Sequence, residues 1–288
     1  MNTVVLLVCT GLGLGALYFL VASGLSLIFG LMDVLNFAHG ALLSVGAYAA
    51  WWASAEAGVG FWPAVLFGTA TGTAASVLLE LAVIRPLYSR PRDQILATVG
   101  VGLALPALIM GIWGADARPF QPPAALAGTV SLLGAVVPVN RFVLMGAALV
   151  VLVLLRLFLS RTRYGLIVRA GVEDRAMVTA LGVDVRRAFT LVFAIGGAAA
   201  ALGGALAGLY FGSVNPGQGT GLLIFAFVVV VMGGMGSVTG AAVASAAVGL
   251  VQQFANYYTA AGLGDLSVVV LLAVLLLVRP RGLTGRLA

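Results

Sequence analysis

Residues 3–31 read TVVLLVCTGLGLGALYFLVASGLSLIFGL and contain no Asp, Glu, Lys or Arg. About 20 consecutive apolar residues are enough for a helix to cross the hydrocarbon core of a bilayer. The first Arg of the chain is Arg85, so this stretch lacks the basic region with which a signal peptide begins. We therefore expect residues 3–31 to form a retained membrane span.

The composition of the whole chain has the same character. Of its 288 residues, 62% are hydrophobic and 8% are charged, and the mean hydropathy is +1.15. Soluble domains contain about 25% charged residues, so this composition excludes a water-soluble enzyme. The net charge is +6, but the 15 basic residues are spread between apolar runs and form no basic face for nucleic acid.

Three residue counts exclude further kinds of site. All the basic residues are Arg, and a P-loop needs a Lys to reach the phosphates of a nucleotide. The chain therefore cannot be a standard ATPase by itself. It also has one Cys, Cys9, and one His, His39, which together cannot complete a metal coordination sphere. We expect no cofactor and no metal.

Further apolar runs predict further spans. They lie at about residues 41–54, 61–84, 95–114, 141–159, 188–212, 221–235, 237–255 and 266–278. The runs are continuously apolar and do not alternate with period two, which favours helices over a transmembrane barrel. We expect an all-α fold, a single transmembrane domain over residues 1–288 that forms a polytopic bundle of about nine segments, within a range of eight to ten.

The Arg residues predict the orientation of these spans. Most of the 15 fall into three clusters. The clusters lie at residues 85–92, 156–187 and 279–286. Basic residues concentrate in cytoplasmic loops, and three spans precede the first cluster, so we expect the N-terminus outside and the C-terminus in the cytoplasm. The long external loop is then about residues 115–140, and the long cytoplasmic loop is about residues 160–187. Arg118 and Arg141, in or beside the external loop, are exceptions to the cytoplasmic placement of basic residues.

Two stretches interrupt an apolar run with Gly and polar residues. They are GLMDVLNFAHG at residues 30–40 and GGMGSVTG at residues 233–240. Lipid cannot satisfy a broken backbone, and a pair of Gly-interrupted segments in the two halves of a polytopic protein indicates a transport pathway. The alternative is that Gly only permits close helix packing. The candidate pathway residues are Asp33, Asn36, His39, Gly40, Gly233 and Gly236.

The cluster of Asp33, Asn36 and His39 has two explanations that the sequence leaves open. Ionisable groups within membrane segments usually face a bundle interior or a cavity, which would make these residues part of a gate or a polar lining. They could equally lie at the membrane edge, in contact with water.

The cytoplasmic loop contains a second candidate site. Apolar and small residues recur at helical spacing over residues 166–181, and Gly182 follows as a C-terminal stop. This pattern predicts a short amphipathic helix that contacts either a partner protein or the lipid headgroups. The candidate contact residues are Glu173, Asp174, Arg175, Ala176, Leu181 and Gly182.

These motifs resemble those of a known family, and the resemblance extends over essentially the whole sequence. The sequence is similar to the inner-membrane permease subunit of branched-chain amino-acid ABC transporters, of the LivH type. The resemblance is carried by GLMDVLNFAHGALLSVGAYAA at 30–50, LATVGVGLAL at 96–105, the segment 169–208 that begins RAGVEDRAMVTALGVDVRRA, and VVMGGMGSVTGAAVASAAVG at 230–249. The NFAHG core followed by a Gly-rich span favours LivH over the sister LivM type.

The resemblance implies an importer of Leu, Ile and Val in the bacterial inner membrane, or of urea, short amides or other amino acids. It implies two separate ABC ATPase subunits, a LivM-type permease as heterodimer partner, and a substrate-binding protein that is periplasmic or lipid-anchored. Membrane lipid is a further expected partner, and nucleic acid is not expected as one. The loop with Glu173 and Gly182 resembles the EAA loop, whose helix docks into a groove of the ATPase.

Two other classes of protein are less well supported. An ion-coupled secondary transporter needs carboxylates deep in the bundle, and the sequence offers only Asp33 and Glu80. An intramembrane aspartyl protease is suggested by GLGD at 262–265. That chemistry needs two carboxylates that share one site, and the second carboxylate motif is absent, so we regard the match as chance.

Overall fold

The structure is a computed structural model that describes residues 2–32, 35–173, 177–178, 185–260, 262–280 and 282–284. These residues form ten α-helices. They are α1 (Asn2–Met32), α2 (His39–Ala55), α3 (Phe61–Leu79), α4 (Pro91–Trp113), α5 (Val139–Arg161), α6 (Arg163–Glu173), α7 (Val185–Phe211), α8 (Gln218–Gly233), α9 (Val238–Tyr258) and α10 (Leu263–Val278).

Every apolar run of the sequence is a helix, and α6 is the additional helix in the Arg-rich segment. Six helices of the described residues are long and apolar enough to cross a membrane, namely α1, α3 with its extension to Leu87, α4, α5, α7 and α9. The three other helices that correspond to apolar runs, α2, α8 and α10, have 17, 16 and 16 residues. At 1.5 Å per residue they measure about 25 Å, somewhat less than the roughly 30 Å hydrocarbon core. The prediction of an all-α polytopic membrane protein is confirmed.

Four short strands accompany the helices. β1 (Arg118–Pro119) pairs with β4 (Ser213–Val214), and β2 (Thr129–Leu132) forms an antiparallel hairpin with β3 (Ala135–Pro138). The sequence predicted only a loop at 115–140. Leu133 and Gly134 connect β2 to β3 with φ of 49° and 82°, the backbone that a two-residue hairpin turn requires.

Contacts at the two ends of α1 identify the two ends of the bundle. The β2–β3 hairpin lies beside the start of α1, where a Cβ on Gly134 would be 3.0 Å from the amide of Asn2. We call this the hairpin end. At the opposite end, which we call the break end, a Cβ on Gly171 would lie 2.8 Å from the side chain of Leu31.

Close backbone contacts place α1 at the centre of the bundle. Built onto Gly15, a Cβ would lie 2.6 Å from the carbonyl of Ser245 on α9, and one built onto Gly24 would lie 2.3 Å from the carbonyl of Gly196 on α7. Only residues without a side chain allow backbones to approach so closely. Many of the 39 glycines in the sequence are explained by this packing.

Helix α3 does not end regularly. A π-helical turn (Glu80–Ile84) and a 3₁₀ turn (Arg85–Leu87) follow it. The π turn shifts the register of the side chains and contains the buried Glu80. This turn joins α3 to α7 at the break end.

Candidate functional site

The two Gly-rich breaks of the sequence meet in the structure. Gly236 lies in the turn between α8 and α9, and a Cβ built onto Gly30 would lie 2.6 Å from its Cα atom. Phe37, in the first break, also packs against Phe227 of α8, with 5.4 Å between ring centroids. Segments about 200 residues apart in the sequence thus form one junction.

Asn36 and His39, which belong to the first break, are buried. Neither side chain has exposed surface. The carboxamide oxygen of Asn36 accepts the backbone N–H of Ala38 at 3.1 Å, so it satisfies a backbone donor at the start of α2. The ring of His39 lies 3.0 Å, through Nε2, from the carbonyl oxygen of Val21 on α1. Because a carbonyl can only accept, Nε2 carries the proton in this bond.

Each of these two side chains has a buried polar atom without a partner. Within the described part of the chain, no hydrogen bond reaches Nδ2 of Asn36 or Nδ1 of His39. Buried polar atoms in native structures are nearly always hydrogen-bonded, so such an exception needs an explanation. Asp33, the third polar member of the predicted cluster, lies outside the described residues.

The candidate glycines take part in close packing. A Cβ on Gly40 would lie 2.5 Å from the carbonyl oxygen of Gly219, which brings α2 against α8. A Cβ on Gly233 would lie 2.7 Å from the carbonyl oxygen of Gly240, so α8 and α9 are in close contact there. Gly236 has φ of 83° in the turn between those helices, a conformation that Gly adopts without penalty. The packing explanation therefore accounts for Gly40 and Gly233.

Residues 282–284 form hydrogen bonds with the end of α8, where this turn begins. The N–H groups of Leu283 and Thr284 donate to the carbonyls of Met232 and Gly233 at 2.8 and 3.3 Å. The last carbonyls of a helix lack partners within the helix, and these bonds satisfy two of them at the end of α8.

The predicted loop at residues 160–187 begins with a helix, which starts earlier than predicted. The sequence predicted a helix over residues 166–181, and α6 spans Arg163–Glu173, one residue after α5 ends. Gly165, Val168 and Gly171 are buried along one face, while Leu166 is 61% exposed on another. The side chain of Glu173 lies outside the described part of the chain, as do the residues Asp174, Arg175, Ala176, Leu181 and Gly182.

Glu80 is a buried carboxylate at the break end, and its contacts were not predicted from the sequence. Glu80 has no exposed surface, and it accepts hydrogen bonds from Nε and Nη2 of Arg85, both at 3.2 Å. It also accepts from the hydroxyl of Thr190 on α7 at 3.0 Å and from the hydroxyl of Tyr88. Burial, together with the bond to Glu80, raises the pKa of Tyr88 above its usual range, so this hydroxyl remains a donor. No sequence signal joins Glu80 to Thr190, because they lie on different helices.

This pairing bears on the ion-coupled alternative. A coupling carboxylate must be able to take up an ion or a proton. Glu80 is fully hydrogen-bonded to three side chains and forms an ion pair with Arg85. It serves as a structural tie between α3 and α7.

A bundle with six helices, among its described residues, that are long and apolar enough to cross a membrane defines a multi-pass membrane protein. Sequence comparison identifies the family. The family described as "Branched-chain amino acid transport system / permease component" matches residues 7–279. The chain belongs to this family. It is a multi-pass protein of the bacterial inner membrane and a transport permease subunit, not an enzyme by itself.

Individual relatives agree over nearly the whole chain. The permease protein BraD of a high-affinity branched-chain amino acid transport system in Pseudomonas aeruginosa is 30% identical, over 96% of this chain and 94% of that protein. LivH of Escherichia coli K12 is 28% identical with the same coverage. A protein of Methanocaldococcus jannaschii named as a probable LivH is 25% identical, over 92% of this chain and 88% of that one.

One solved structure is also similar. It is PsaBC from Streptococcus pneumoniae in complex with Fab, with 14% identity, a TM-score of 0.49, and coverage of 93% of this chain and 89% of that one. At this distance the likeness carries no functional conclusion.

Proposed function

We propose that this chain is the membrane permease of an ABC importer that carries Leu, Ile and Val inward, with ATP hydrolysed by two separate subunits. Family membership over residues 7–279 carries the proposal. The relatives BraD and LivH are named as permeases of high-affinity branched-chain amino acid transport systems. An importer of the same type for urea, short amides or other amino acids is the second candidate.

The sequence of the chain supports the placement of ATP hydrolysis on separate subunits. It contains no Lys and so no P-loop, and energy must therefore enter through contact with another subunit. Helix α6 is suited to such a contact because it exposes Tyr164 and Leu166 by 40% and 61%. A LivM-type permease and a binding protein that is periplasmic or lipid-anchored complete the proposed complex.

A pull-down from native membranes tests this proposal. The chain, tagged in its own host, is expected to copurify with a second permease and with subunits that contain a P-loop. Deleting it should abolish ATP-dependent uptake of labelled leucine. Intact leucine uptake in the deletion strain, together with loss of urea or amide uptake, would favour the second candidate. Isolation without any P-loop subunit would contradict the ABC class.

We also propose nine crossings with the N-terminus outside and the C-terminus inside. With the helices α1–α5 and α7–α10 as the nine transmembrane segments, the hairpin end lies outside and the break end, with the three Arg clusters, lies inside. In this proposal α2 and α8 do not both span the full bilayer, because their first turns meet at Gly40 and Gly219. The pairing of β1 with β4 supports this arrangement, because both strands then lie on the outer side. So does the contact of α6 with the end of α1, since both then lie on the inner side.

Thiol labelling tests the orientation. In a Cys9→Ser background, Ala125→Cys should react with a membrane-impermeant maleimide on intact cells, because Ala125 is exposed in the external loop. Arg169→Cys, exposed on α6, should react only after the membrane is opened. The reverse pattern would invert the topology.

We propose, finally, that Asn36 and His39 border the translocation path at the inner ends of α1 and α2. Their unpartnered buried atoms support this, as does the meeting of the two breaks. Opening of the junction would give both atoms access to water or substrate.

Substitution of His39 tests this part. His39→Leu removes the polar ring at similar volume and should lower leucine uptake several-fold, with normal amounts of the assembled complex. Ser23→Ala is the control and should transport like the wild type, because Ser23 is buried on α1 with its hydroxyl donating to the carbonyl of Leu20 in the same helix. Wild-type uptake by His39→Leu would leave only a packing role.

A further inference from the structure

A cavity of about 370 Å³ lies toward the hairpin end of the bundle, between α1, α8, α9 and α10. This volume is at the small end of the roughly 300–1,000 Å³ range of ligand pockets. Its polar wall includes Tyr18, Gln252 and Asp265, and its apolar wall includes Leu14, Leu222 and Phe225. The cavity is therefore suited to a small ligand with one polar and one apolar end.

The polar wall is organised by a chain of hydrogen bonds. The hydroxyl of Tyr18 donates to Oε1 of Gln252 at 2.7 Å, and Nε2 of Gln252 donates to Oδ1 of Asp265 at 2.6 Å. Tyr18 and Gln252 are 2% and 5% exposed. Both ends of the Gln252 amide are thus occupied, which fixes its orientation and leaves Asp265 as the acceptor that faces the cavity.

Within the described part of the chain, Asp265 forms no ion pair. Asp265 is exposed in the first turn of α10, where water and the N-terminal end of the helix dipole both stabilise its negative charge. Because the carboxylate is exposed at the cavity, it is accessible to a cation from solution.

Two amide groups on the same cavity are available as donors. The side-chain oxygen of Asn256 accepts the backbone N–H of Gly264 at 3.0 Å, and that of Gln218 accepts the backbone N–H of Asn215 at 3.4 Å. The amide NH₂ groups of Asn256 and Gln218 take part in no hydrogen bond within the described ranges. They can donate to a carboxylate.

Aromatic rings form part of the cavity wall. The rings of Tyr18 and Phe225 are stacked with 5.0 Å between their centroids. Tyr210 also lines the cavity, and the guanidinium of Arg141 lies 3.5 Å from the centroid of its ring. Stacked rings give a preformed surface for a branched aliphatic side chain.

We propose that this cavity is a binding site for a neutral, branched-chain α-amino acid on the outer side of the permease. Asp265 accepts the ammonium group, the amides of Asn256 and Gln218 donate to the carboxylate, and Leu222 and Phe225 contact the side chain. The assignment rests on the proposed amino-acid import. It adds that the permease itself recognises the amino acid after the binding protein has released it.

A charge-neutral substitution tests the role of Asp265. Asp265→Asn keeps an acceptor for Gln252 and removes the negative charge. The maximal rate of leucine uptake in the native host, per amount of permease in the membrane, should fall at least about tenfold, because a charge-assisted hydrogen bond is about twice as strong as a neutral one. The matched control is Asp116→Asn, in an exposed part of the external loop, and it should transport like the wild type. Wild-type uptake by Asp265→Asn would overturn the proposal.

Thiol protection separates recognition from a structural role. In purified complex with Cys9→Ser and Gln253→Cys, which lines the cavity, leucine should slow labelling by a small maleimide several-fold. 4-Methylpentanoate, which is leucine without its ammonium group, should not slow it, and Asp265→Asn should abolish the protection. Equal protection by the two compounds, or none by leucine, would overturn the site.

The two measurements also separate this site from the proposed function. Labelling requires neither ATP nor the other subunits to act, so protection without any uptake would contradict the importer and leave the site standing. Uptake by the wild type without protection would contradict the site and leave the importer standing.

Discussion

Leucine uptake should fall to background when Ala176 is replaced by tryptophan, and the ATPase subunits should no longer copurify with the permease. Ala176 belongs to the segment that follows α6, and we propose, from the resemblance of this segment to the EAA loop, that it docks into a groove of the ATPase. A small residue permits close approach of a helix to a groove, and an indole ring at that position obstructs it. Gly182→Val should act similarly, because a helix commonly ends at a Gly in the left-handed conformation.

Controls distinguish docking from general damage. Ala57→Trp places the same ring in an exposed turn between α2 and α3 and should leave uptake unchanged, and Ala176→Ser should do the same. The amount of each variant in the membrane is measured by blotting. A helix that only lies on lipid headgroups would tolerate Trp, so normal ATPase retention by Ala176→Trp and Gly182→Val would overturn the coupling assignment.

Replacing Gly219 with valine should strongly destabilise the bundle. A Cβ at this position would lie 1.9 Å from the carbonyl oxygen of Gly40 and 2.5 Å from the hydroxyl of Ser44. It would also disturb the hydroxyl of Ser44, which accepts the N–H of Gly219 at 3.2 Å and donates to the carbonyl of Pro216 at 3.1 Å. Overpacking usually costs about 1–3 kcal/mol, and we expect at least the upper value because the obstacle is backbone.

Gly221 provides a matched control on the same helix. A Cβ there meets no atom within 4 Å, so Gly221→Val makes the same chemical change without the clash. The yield of monodisperse protein in detergent and its thermal midpoint should fall for Gly219→Val and stay near wild type for Gly221→Val. Equal behaviour of the two variants would show that the contact between α2 and α8 is not as close as described.

The helices were the most predictable part of this fold. The run at 61–84 predicted the span that α3 and its π turn form, since a continuously apolar stretch leaves the chain no alternative in lipid. The strands β2 and β3, of four residues each, were not predicted because segments so short carry little pattern.

The candidate site was predictable in its residues and not in its contacts. The break at 30–40 indicated Asn36 and His39, but their complete burial depends on α1 and α8. Asp265 appeared in the sequence only as part of a chance protease pattern. Its significance comes from Gln252 and Tyr18, which belong to two other helices, and no local spacing indicates that they meet.

The length of α1 has a mechanical consequence. Its 31 residues span about 46 Å, with Asn2 against the β2–β3 hairpin at one end and Leu31 against α6 at the other. A continuous helix resists compression along its axis, because successive turns are joined by hydrogen bonds. Helix α1 can therefore act as a stiff rod, with Tyr18 along its length. A tilt of α6 would move α1 as one body. The same movement would displace the hairpin and the Tyr18–Gln252–Asp265 chain, without a series of small side-chain shifts.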